Sequence, residues 1–286
     1  MQTRLLFLHV LSPLHVGTGQ GVGVIDLPVA REKPTGIPIV PGSSLKGVLR
    51  AQVADKDLCK RVFGPETDVA YEHAGSVQFG DLYLLFLPVR SLRGTFAWVT
   101  SPFLLQRFAR DVAWVQNGLV FPQVPQVAQE NRCLVPAQLT SHLLLDRAAR
   151  VILEDLDLQA QMEQNLDQWA TTLAPLAFPN DGTWQTHFKE RICVVHDDVL
   201  AFLLETALEV TARVRLKEDT KTVARGALWY EEALPAESIL YGVVVIAPVK
   251  ATAEEVDQVL QSATRQSIQL GGDATVGRGL CRLNLL

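Results

Sequence analysis

The chain opens with an apolar run, TRLLFLHVL, that stops at Ser12 and Pro13. A continuous apolar stretch of this length, closed by a turn signal, is typical of a buried β-strand. The runs SILYGVVVIAP and GLCRLNLL predict two further buried strands towards the end of the chain. Between them and the first strand, GSVQFGDLYLLFLPV predicts one or two more strands, ending at Pro88.

Helices are predicted where a polar residue that can cap a helix precedes apolar residues at helical spacing. Four segments have this pattern, and one of them carries a proline at its first helical position, where proline is favoured. Another of the four segments has the threonine and glutamate of a capping box. The expected caps are Ser43 or Ser44, Ser101 before Pro102, His196 or Asp197, and Thr252 with Glu255.

The segment TARVRLKEDTKTVARGALWY alternates, turns at Glu218-Asp219-Thr220 and alternates again, which predicts a β-hairpin. Residues 117–195 are less regular, with several prolines and one helical stretch near 156–173, and we interpret them as an insertion. Together the elements predict an α+β fold with antiparallel sheets and packed helices. No repeat or flexible linker divides the chain, so a single domain over 1–286 is expected.

Composition narrows the functional classes. The 286 residues are 48% hydrophobic with a net charge of −5, so any nucleic-acid site has to be a confined basic surface. The four cysteines form no C-x-x-C pair, which removes support for zinc ribbons and thioredoxin-like chemistry. Buried free thiols and the lack of a membrane-length apolar run lead us to expect a cytoplasmic protein without a membrane partner.

A lysine near a predicted helix start raises a question about ligands. The helix dipole disfavours cations at that end, yet Lys46 lies in the first turns after PGSS, with Arg50 four residues further on. A bound anion, held by the amides of the helix start and by both cations, would explain this arrangement. The loop HVGTGQGVG, by contrast, fits neither common phosphate-loop spacing, and a mobile or closely packed loop is expected there.

Five segments together resemble one family: SPLHVGTG, IPIVPGSSLKGVLR, FGDLYLLFLPVRSLRGTFAWVTSP, ARGALWYEEALP and LGGDATVGRGL. In this order they resemble the RAMP proteins of CRISPR systems, in particular the repeated backbone subunit of the type III-B (Cmr) effector. The resemblance implies an RRM-like (ferredoxin-like) palm with a projecting β-hairpin thumb over 211–232. It also implies a core of 1–116 and 196–286 and an irregular or helical insertion over 117–195.

The resemblance further implies an activity and partners. Copies of such a subunit stack as a filament on a guide RNA, together with other Cmr subunits. Each thumb displaces a nucleotide in the duplex of guide and single-stranded target RNA, and the target is cut beside it. Cleavage is expected to be that of a metal-dependent endoribonuclease, with Mg²⁺ or Mn²⁺ as cofactor.

Candidate catalytic residues follow from the same resemblance. Asp26 is the first candidate and the expected metal ligand; the alternative is a solvated loop aspartate in a turn. His15 could move a proton, or could simply be packed at a strand end. Tyr230, Glu231 and Glu232 could complete the site at the base of the thumb, or the two glutamates could be hydrated turn carboxylates.

The anion at the predicted helix start is then expected to be the guide-RNA backbone, contacted without sequence readout. Basic residues of the thumb and the last glycine loop would add phosphate contacts; ordinary solvated side chains are the alternative throughout. The residues expected to contact RNA are Ser43, Ser44, Lys46, Arg50, Arg213, Arg215, Lys217, Lys221, Arg225, Gly272 and Arg278.

Two other functions stay open at this point. One is a non-catalytic, structural RNA-binding filament subunit of a related CRISPR complex. The other is a metal-independent RAMP ribonuclease that processes guide precursors with His15 as the base. Chelation and an Asp26 variant would separate the three possibilities.

Overall fold

A computed structural model describes residues 1–17, 19, 23–115, 118–145, 149–217, 219–220 and 222–286, without the side chains of residues 67, 216 and 224–226. Lys221, with Glu218 of the predicted turn, lies outside the described residues, and so does the side chain of Arg225. The roles expected for Lys221 and Arg225 therefore stay predictions from the sequence.

Most strands belong to one large sheet, and two form a separate hairpin. The strands are β1 (Gln2–Val10), β2 (Ile39–Val40), β3 (Val77–Phe79), β4 (Leu82–Arg90), β5 (Phe96–Thr100), β6 (Arg132–Pro136), β7 (Arg150–Leu153), β8 (Leu156–Glu163), β9 (Ile192–Val195), β10 (Glu209–Leu216), β11 (Val223–Ala233), β12 (Ile239–Ile246), β13 (Ile268–Gln269) and β14 (Leu280–Leu285).

The helices cover the large sheet on both sides. They are α1 (Gly42–Ala51), α2 (Lys56–Phe63), α3 (Pro102–Val115), α4 (Gln164–Ala177), α5 (Gly182–Arg191), α6 (Asp197–Thr206) and α7 (Ala253–Thr264), with short 3₁₀ turns at Thr67–Val69 and Ala274–Val276. None of the helices in the described parts of the chain is both long and apolar enough to cross a bilayer.

The palm is the antiparallel set β14-β1-β12-β4, with α1 between β1 and β4 in the chain and α7 between β12 and β14. This β-α-β-β-α-β order, with the first strand central and the last at its side, is the ferredoxin-like arrangement. The expected α+β fold with an RRM-like palm is therefore confirmed.

Strand β1 shows why its sequence reads as a continuous apolar run. Leu6, Leu8 and Val10 belong to the hydrophobic core on one side of the sheet, which includes residues of α1, α2, α6 and α7. Leu5 and Phe7 belong to the core on the other side, with residues of α3 and α4. Because both faces are covered, the strand has no solvent face and no alternation of apolar and polar residues.

Strands β10 and β11 form a two-stranded sheet separate from the large one, called the thumb hairpin below. It spans Glu209–Leu216 and Val223–Ala233, close to the predicted 211–232. A register shift between Val214 and Leu216 interrupts the pairing.

The region 117–195 contains more strand than the sequence pattern suggested. Four strands, β6 to β9, lie within it, and β8 (Leu156–Glu163) occupies the start of the stretch expected to be helical. Strand β9 pairs with β5 on one side and with β6 on the other, so the region extends the large sheet. The division of the core at residues 117 and 195 stays a prediction, since no break in the sheet marks it.

One expected helix cap is wrong, and another is right in position but not in its side-chain bond. Ser43 and Ser44 lie inside α1, whose cap is Pro41, and the amide of Gly42 donates instead to Asp81 Oδ1 at 2.9 Å. Helix α3 begins at Pro102 as predicted, and the carbonyl of Ser101 accepts from the amide of Leu105 at 3.1 Å. Ser101 Oγ has no hydrogen bond, and Asp197 Oδ1 accepts from the amide of Phe103 at 3.0 Å.

The other two expected caps are confirmed. His196 is the cap of α6, and Thr252 with Glu255 forms the capping box of α7. Both caps act on amides two or three residues along the chain, whereas Asp81 and Asp197 reach their helices from other parts of the fold.

Candidate active site at the base of the thumb hairpin

The loop that follows β1 contacts strand β11 and its end at two places. We call residues 13–17 of this loop its first arm and residues 26–31 its second arm. Leu14 of the first arm pairs antiparallel with Leu234, and Leu27 of the second arm pairs parallel with Glu231. The amide of Leu27 donates to the carbonyl of Tyr230 at 3.0 Å, which fixes this second arm. The two arms bring the segments around residues 15 and 26 to one strand.

Asp26 is held by the backbone of β11. Its Oδ2 accepts a hydrogen bond from the amide of Tyr230 at 2.8 Å, and the residue is otherwise exposed. No described residue donates to its second oxygen, Oδ1. The carboxylate is thus oriented by the protein through one oxygen and available to a ligand through the other.

His15 is anchored two residues further along the same strand. Its Nδ1 lies 2.6 Å from the carbonyl oxygen of Glu232, and since a carbonyl only accepts, Nδ1 carries the proton. The neutral ring then has Nε2 as its free acceptor. Tyr230 and Glu232, the anchors of Asp26 and His15, are two positions apart, which corresponds to about 7 Å along a strand.

Glycines let backbone pass close to His15. A Cβ on Gly17 would lie 2.8 Å from His15 Nε2, and a Cβ on Gly271 would lie 2.2 Å from the His15 carbonyl oxygen. The amide of Gly272 donates to that oxygen at 2.9 Å. Gly17 of the loop after β1 and Gly271 of the last loop therefore pack closely against the histidine. A Cβ on Gly19 or Gly23 would meet nothing within 4 Å, so close packing is seen at Gly17 and not along the whole glycine-rich sequence.

Glu231 is buried among charges. Its Oε1 lies 3.3 Å from Arg278 Nη1, and its Oε2 lies 3.4 Å from Arg213 Nε. Burial raises the pKa of the Glu231 carboxyl, the neighbouring Asp273 carboxyl raises it further, and the two arginines act in the opposite direction.

Glu232 has both carboxylate oxygens occupied by the protein. Oε1 accepts from Arg31 Nη2 at 2.7 Å, and Oε2 accepts from the amide of Val29 at 2.9 Å. Arg31 also donates to the carbonyl of Leu204 at 2.9 Å. Glu232 therefore ties the second arm of the loop to β11 and to α6, and among the three acidic candidates Asp26 alone is exposed.

Comparison with known proteins identifies the family. The model of the RAMP superfamily matches residues 7–282. The chain belongs to the RAMP superfamily. It is 35% identical over its whole length to the CRISPR system Cmr endoribonuclease Cmr4 of Pyrococcus furiosus, covering 96% of that protein. It is 25% identical to the CRISPR system CMR subunit Cmr4 of Saccharolobus solfataricus, with 98% of this chain and 95% of that protein covered.

Structural comparison agrees with the family. The crystal structure of oligomeric Cmr4 from Pyrococcus furiosus superposes with a TM-score of 0.77 at 29% identity, covering 100% of this chain and 98% of that one. The resemblance to RAMP proteins seen in the sequence is therefore confirmed from end to end.

In this RAMP protein, two of the groups expected to bind a phosphate at the start of α1 are already bonded within the protein. Lys46 is half-exposed, but Arg50 lies in the last turn of α1, where it donates to the carbonyl of Gly64 at 2.7 Å and pairs with Glu66 at 3.0 Å. The amide of Gly42 is taken by Asp81. Within the described ranges, no hydrogen bond or ion pair joins α1 to the Asp26 neighbourhood.

The side chains of the thumb hairpin and the last loop divide into two groups. Arg215, Lys217 and Gly272 are exposed. Arg213 is turned towards Glu231, and Arg278 is buried. Arg213 therefore takes part in an internal ion pair, whereas Arg215 and Lys217 are exposed to solvent.

Among the described residues of the predicted site, Asp26 carries the exposed carboxylate that a divalent metal could use. The group of three metal-ligand side chains found in the described part of the chain is Glu130, His196 and Asp198, and none of these belongs to the predicted site. Asp26 Oδ1 by itself fits a hydrated Mg²⁺, which commonly binds through one or two carboxylates and completes its shell with water and substrate phosphates.

The sequence analysis missed residues that support the site from distant positions in the chain. Arg31 supports Glu232 across 201 positions of the chain, and Asp81 supplies the acceptor for the start of α1 across 39 positions. Neither residue lies in a motif that indicates its partner. The buried pair of Glu231 and Arg278 likewise joins two segments whose sequences suggested separate functions.

Proposed function

We propose that this RAMP protein is a guide-RNA-binding backbone subunit of a type III-B CRISPR effector that cleaves target RNA. Support comes from full-length similarity to a protein named a Cmr endoribonuclease. The observation that carries the proposal is the exposed carboxylate of Asp26, fixed by the amide of Tyr230 at the base of the thumb hairpin.

The proposed reaction is attack by the target's own 2′-hydroxyl on the adjacent phosphate. The O2′–P bond forms, the P–O5′ bond breaks, and the products carry a cyclic phosphate and a 5′-hydroxyl. His15 Nε2 accepts the proton of the 2′-hydroxyl, since Nδ1 already donates to the Glu232 carbonyl. Water protonates the departing 5′ oxygen. Asp26 orients the reacting ribose through its free oxygen.

When a divalent cation, Mg²⁺ or Mn²⁺, is bound, Asp26 Oδ1 would hold the cation in place of the ribose, and the cation would neutralise charge on the phosphate. The contribution of the protein in that case is the orientation of the carboxylate by Tyr230.

RNA binding is assigned to exposed cations of this chain. Exposed Arg215 and Lys217 on the thumb hairpin and half-buried Lys46 on α1 are available for phosphate contacts, which give affinity and register for any guide sequence. Guide RNA, single-stranded target RNA, further copies of this chain and other Cmr subunits are the proposed partners. The related Pyrococcus furiosus Cmr4 is described as oligomeric.

The experiment is a cleavage assay on the protein assembled with a guide RNA. A complementary target is expected to be cut at several positions at a regular interval, and a non-complementary RNA of equal length is expected to stay intact. Target cut without regard to complementarity, or bound but never cut, would overturn the proposal; the second result would favour the structural subunit.

One observation keeps the guide-processing ribonuclease as a second candidate. His15 has its ring fixed by the Glu232 carbonyl with Nε2 free, as a metal-independent base requires. EDTA separates the two: target cleavage is expected to stop when divalent ions are removed. Cleavage of a guide precursor that survives EDTA would favour the second candidate.

A further inference from the structure

The last glycine-rich segment, residues 270–279, forms a loop that closes on the site; we call it the closing loop. At one end Gly272 donates to the His15 carbonyl at 2.9 Å. At the other, the amide of Gly279 donates to the carbonyl of Pro13 at 2.9 Å. A Cβ on Gly279 would lie 1.9 Å from the carbonyl oxygen of Leu270, so the two ends of the loop are packed together. The loop therefore follows the first arm of the site through backbone contacts.

Arg278 connects the closing loop to both strands of the thumb hairpin. Its Nη2 donates a hydrogen bond to Thr211 Oγ1 on β10 at 3.1 Å. Its Nη1 lies 3.3 Å from Glu231 Oε1 on β11, and among the described residues this contact is an ion pair without a hydrogen bond at either atom. Thr211 and Glu231 are directly opposite each other in the hairpin register. One guanidinium thus spans a single rung at the base of the hairpin, a geometry for which the planar fork of arginine is suited.

A second cation completes a charge cluster at this rung. Arg213 Nε lies 3.4 Å from Glu231 Oε2, and Arg213 Nη2 lies 3.8 Å from Asp273 Oδ2 on the closing loop. Arg278, Glu231, Arg213 and Asp273 therefore alternate in sign. The cluster ties the loop to the hairpin at two points, through Arg278 and through Asp273.

The charge cluster acts on the strand that holds both candidate catalytic side chains. Glu231 lies between Tyr230, whose amide holds Asp26, and Glu232, whose carbonyl holds His15. A change in the tilt of β11 at Glu231 moves both anchors at once. The group that fixes this tilt therefore controls the relative placement of the two candidate catalytic side chains.

We propose that Arg278 is a positioning residue for RNA cleavage, which clamps the base of the thumb hairpin through Thr211 and Glu231. The inference rests on the proposed function and deepens it. It also reassigns Arg278, which the sequence suggested as a phosphate contact. The side chain of Arg278 is 11% exposed and lies against Thr211 and Glu231, which leaves little of its guanidinium accessible to an RNA phosphate.

The test separates positioning from phosphate binding by salt dependence. Each phosphate contact adds about 0.7 to 0.9 to the slope of log affinity against log salt. For Arg278→Ala we expect a slope equal to wild type and a single-turnover cleavage rate, at saturating protein, lower by about tenfold to a hundredfold. Arg278→Lys keeps the charge but cannot span the rung, so its rate is expected to stay low.

Two arginine variants serve as controls. Arg215→Ala, at an exposed thumb position, is expected to reduce the salt slope by about one phosphate contact. Arg282→Ala, at an exposed position of β14, is expected to change neither slope nor rate. A reduced slope for Arg278→Ala with a wild-type rate at saturation would overturn the proposal in favour of a phosphate contact.

A second measurement needs no RNA. Spin labels on Thr220→Cys in the hairpin turn and Ala51→Cys on α1 report the hairpin's orientation, because both positions are exposed and the four native cysteines are buried. Adding Arg278→Ala is expected to broaden the distance distribution, and an unchanged distribution would overturn the clamp. The spin-label measurement tests whether Arg278 holds the hairpin even if the wild-type protein fails to cut RNA. Failure to cut RNA would count against the proposed function alone.

A milder variant covers the case in which Arg278→Ala fails to fold. Thr211→Val keeps the side-chain shape and removes only the oxygen that accepts from Arg278 Nη2. We expect a folded protein with a cleavage rate lower by about threefold to tenfold and an unchanged salt slope. A wild-type rate in this variant, together with an unchanged spin-label distribution, would contradict the clamp.

Discussion

At the scale of single residues, neighbouring acids in one short sequence have different roles because they face different surroundings. Glu231 faces two arginines in a buried cluster, Glu232 binds Arg31 and the amide of Val29, and Asp26 is exposed. The sequence placed all three at one site, but it could not assign their roles. Burial and ion pairing come from residues that are distant in the chain.

Removal of Glu232 tests its structural role. Glu232→Ala removes the buried carboxylate of Arg31, which keeps exposed Glu205 and the carbonyl of Leu204, and it also leaves the buried amide of Val29 without its acceptor. We expect the free energy of unfolding to fall by about 2 to 3 kcal/mol. Urea unfolding measures this change. Glu205→Ala removes the other, exposed partner of Arg31 and is expected to cost less than about 1 kcal/mol. Equal effects of the two variants would contradict the assignment.

Glu231 gives a pH dependence with a definite sign. Burial raises the pKa of its carboxyl in the folded protein, so its contribution to stability is fully present below the pKa of the unfolded chain. That contribution is lost as pH rises through the folded pKa. Relative to Glu231→Gln, wild-type protein is therefore expected to lose stability between acidic and neutral pH. A difference in unfolding free energy that is constant or grows with pH would refute the raised pKa.

At the scale of elements, those defined by a local sequence pattern could be predicted, whereas those that depend on residues distant in the chain could not. The hairpin, the capping box of α7 and the buried strand β1 follow from alternation, spacing and run length, and all are present. The start of α1 was misassigned because its acceptor, Asp81, comes from the turn before β4. Strand β8 was missed although LDLQAQME alternates, since the helical pattern of α4 follows it directly.

The closing loop provides a matched pair of glycines. Gly271 and Gly277 both have positive φ, +77° and +81°, but only Gly271 has backbone close to the position of a Cβ. Gly277→Ala is expected to cost about 1 to 2 kcal/mol for the left-handed conformation alone. Gly271→Ala adds a clash with the His15 carbonyl and is expected to cost more, by thermal or urea unfolding. Equal costs would show that the loop does not press on His15.

At the scale of the whole molecule, the chain is acidic overall, with a net charge of −5, and its exposed cations are spread over the fold. Arg215 and Lys217 are the exposed cations described on the thumb hairpin, and Arg282 on β14 is an example elsewhere. The family and the ferredoxin-like palm could be predicted because the resemblance runs along the whole chain. The internal pairing of Arg213 and Arg278 could not, because charge type alone does not reveal a buried counterion.

Thiol chemistry tests the burial of the core. All four cysteines are free and buried, and burial raises the pKa of the Cys281 thiol to about 12. At pH 8 about one molecule in ten thousand would carry the thiolate, so alkylation of native protein at Cys281 is expected to be very slow and to quicken about tenfold per pH unit. Peptide mapping after alkylation in urea provides the control. Rapid labelling of the native protein would contradict the packing of β14 against β1.

The most direct measurement of the central claim is the single-turnover cleavage rate of guide-loaded Asp26→Asn. Asparagine retains an oxygen that can accept from the Tyr230 amide but removes the charge. We expect complementary target to bind with unchanged affinity and to be cut at least about a hundredfold more slowly. Cleavage within about twofold of the wild-type rate would contradict a role for the Asp26 carboxylate in the reaction.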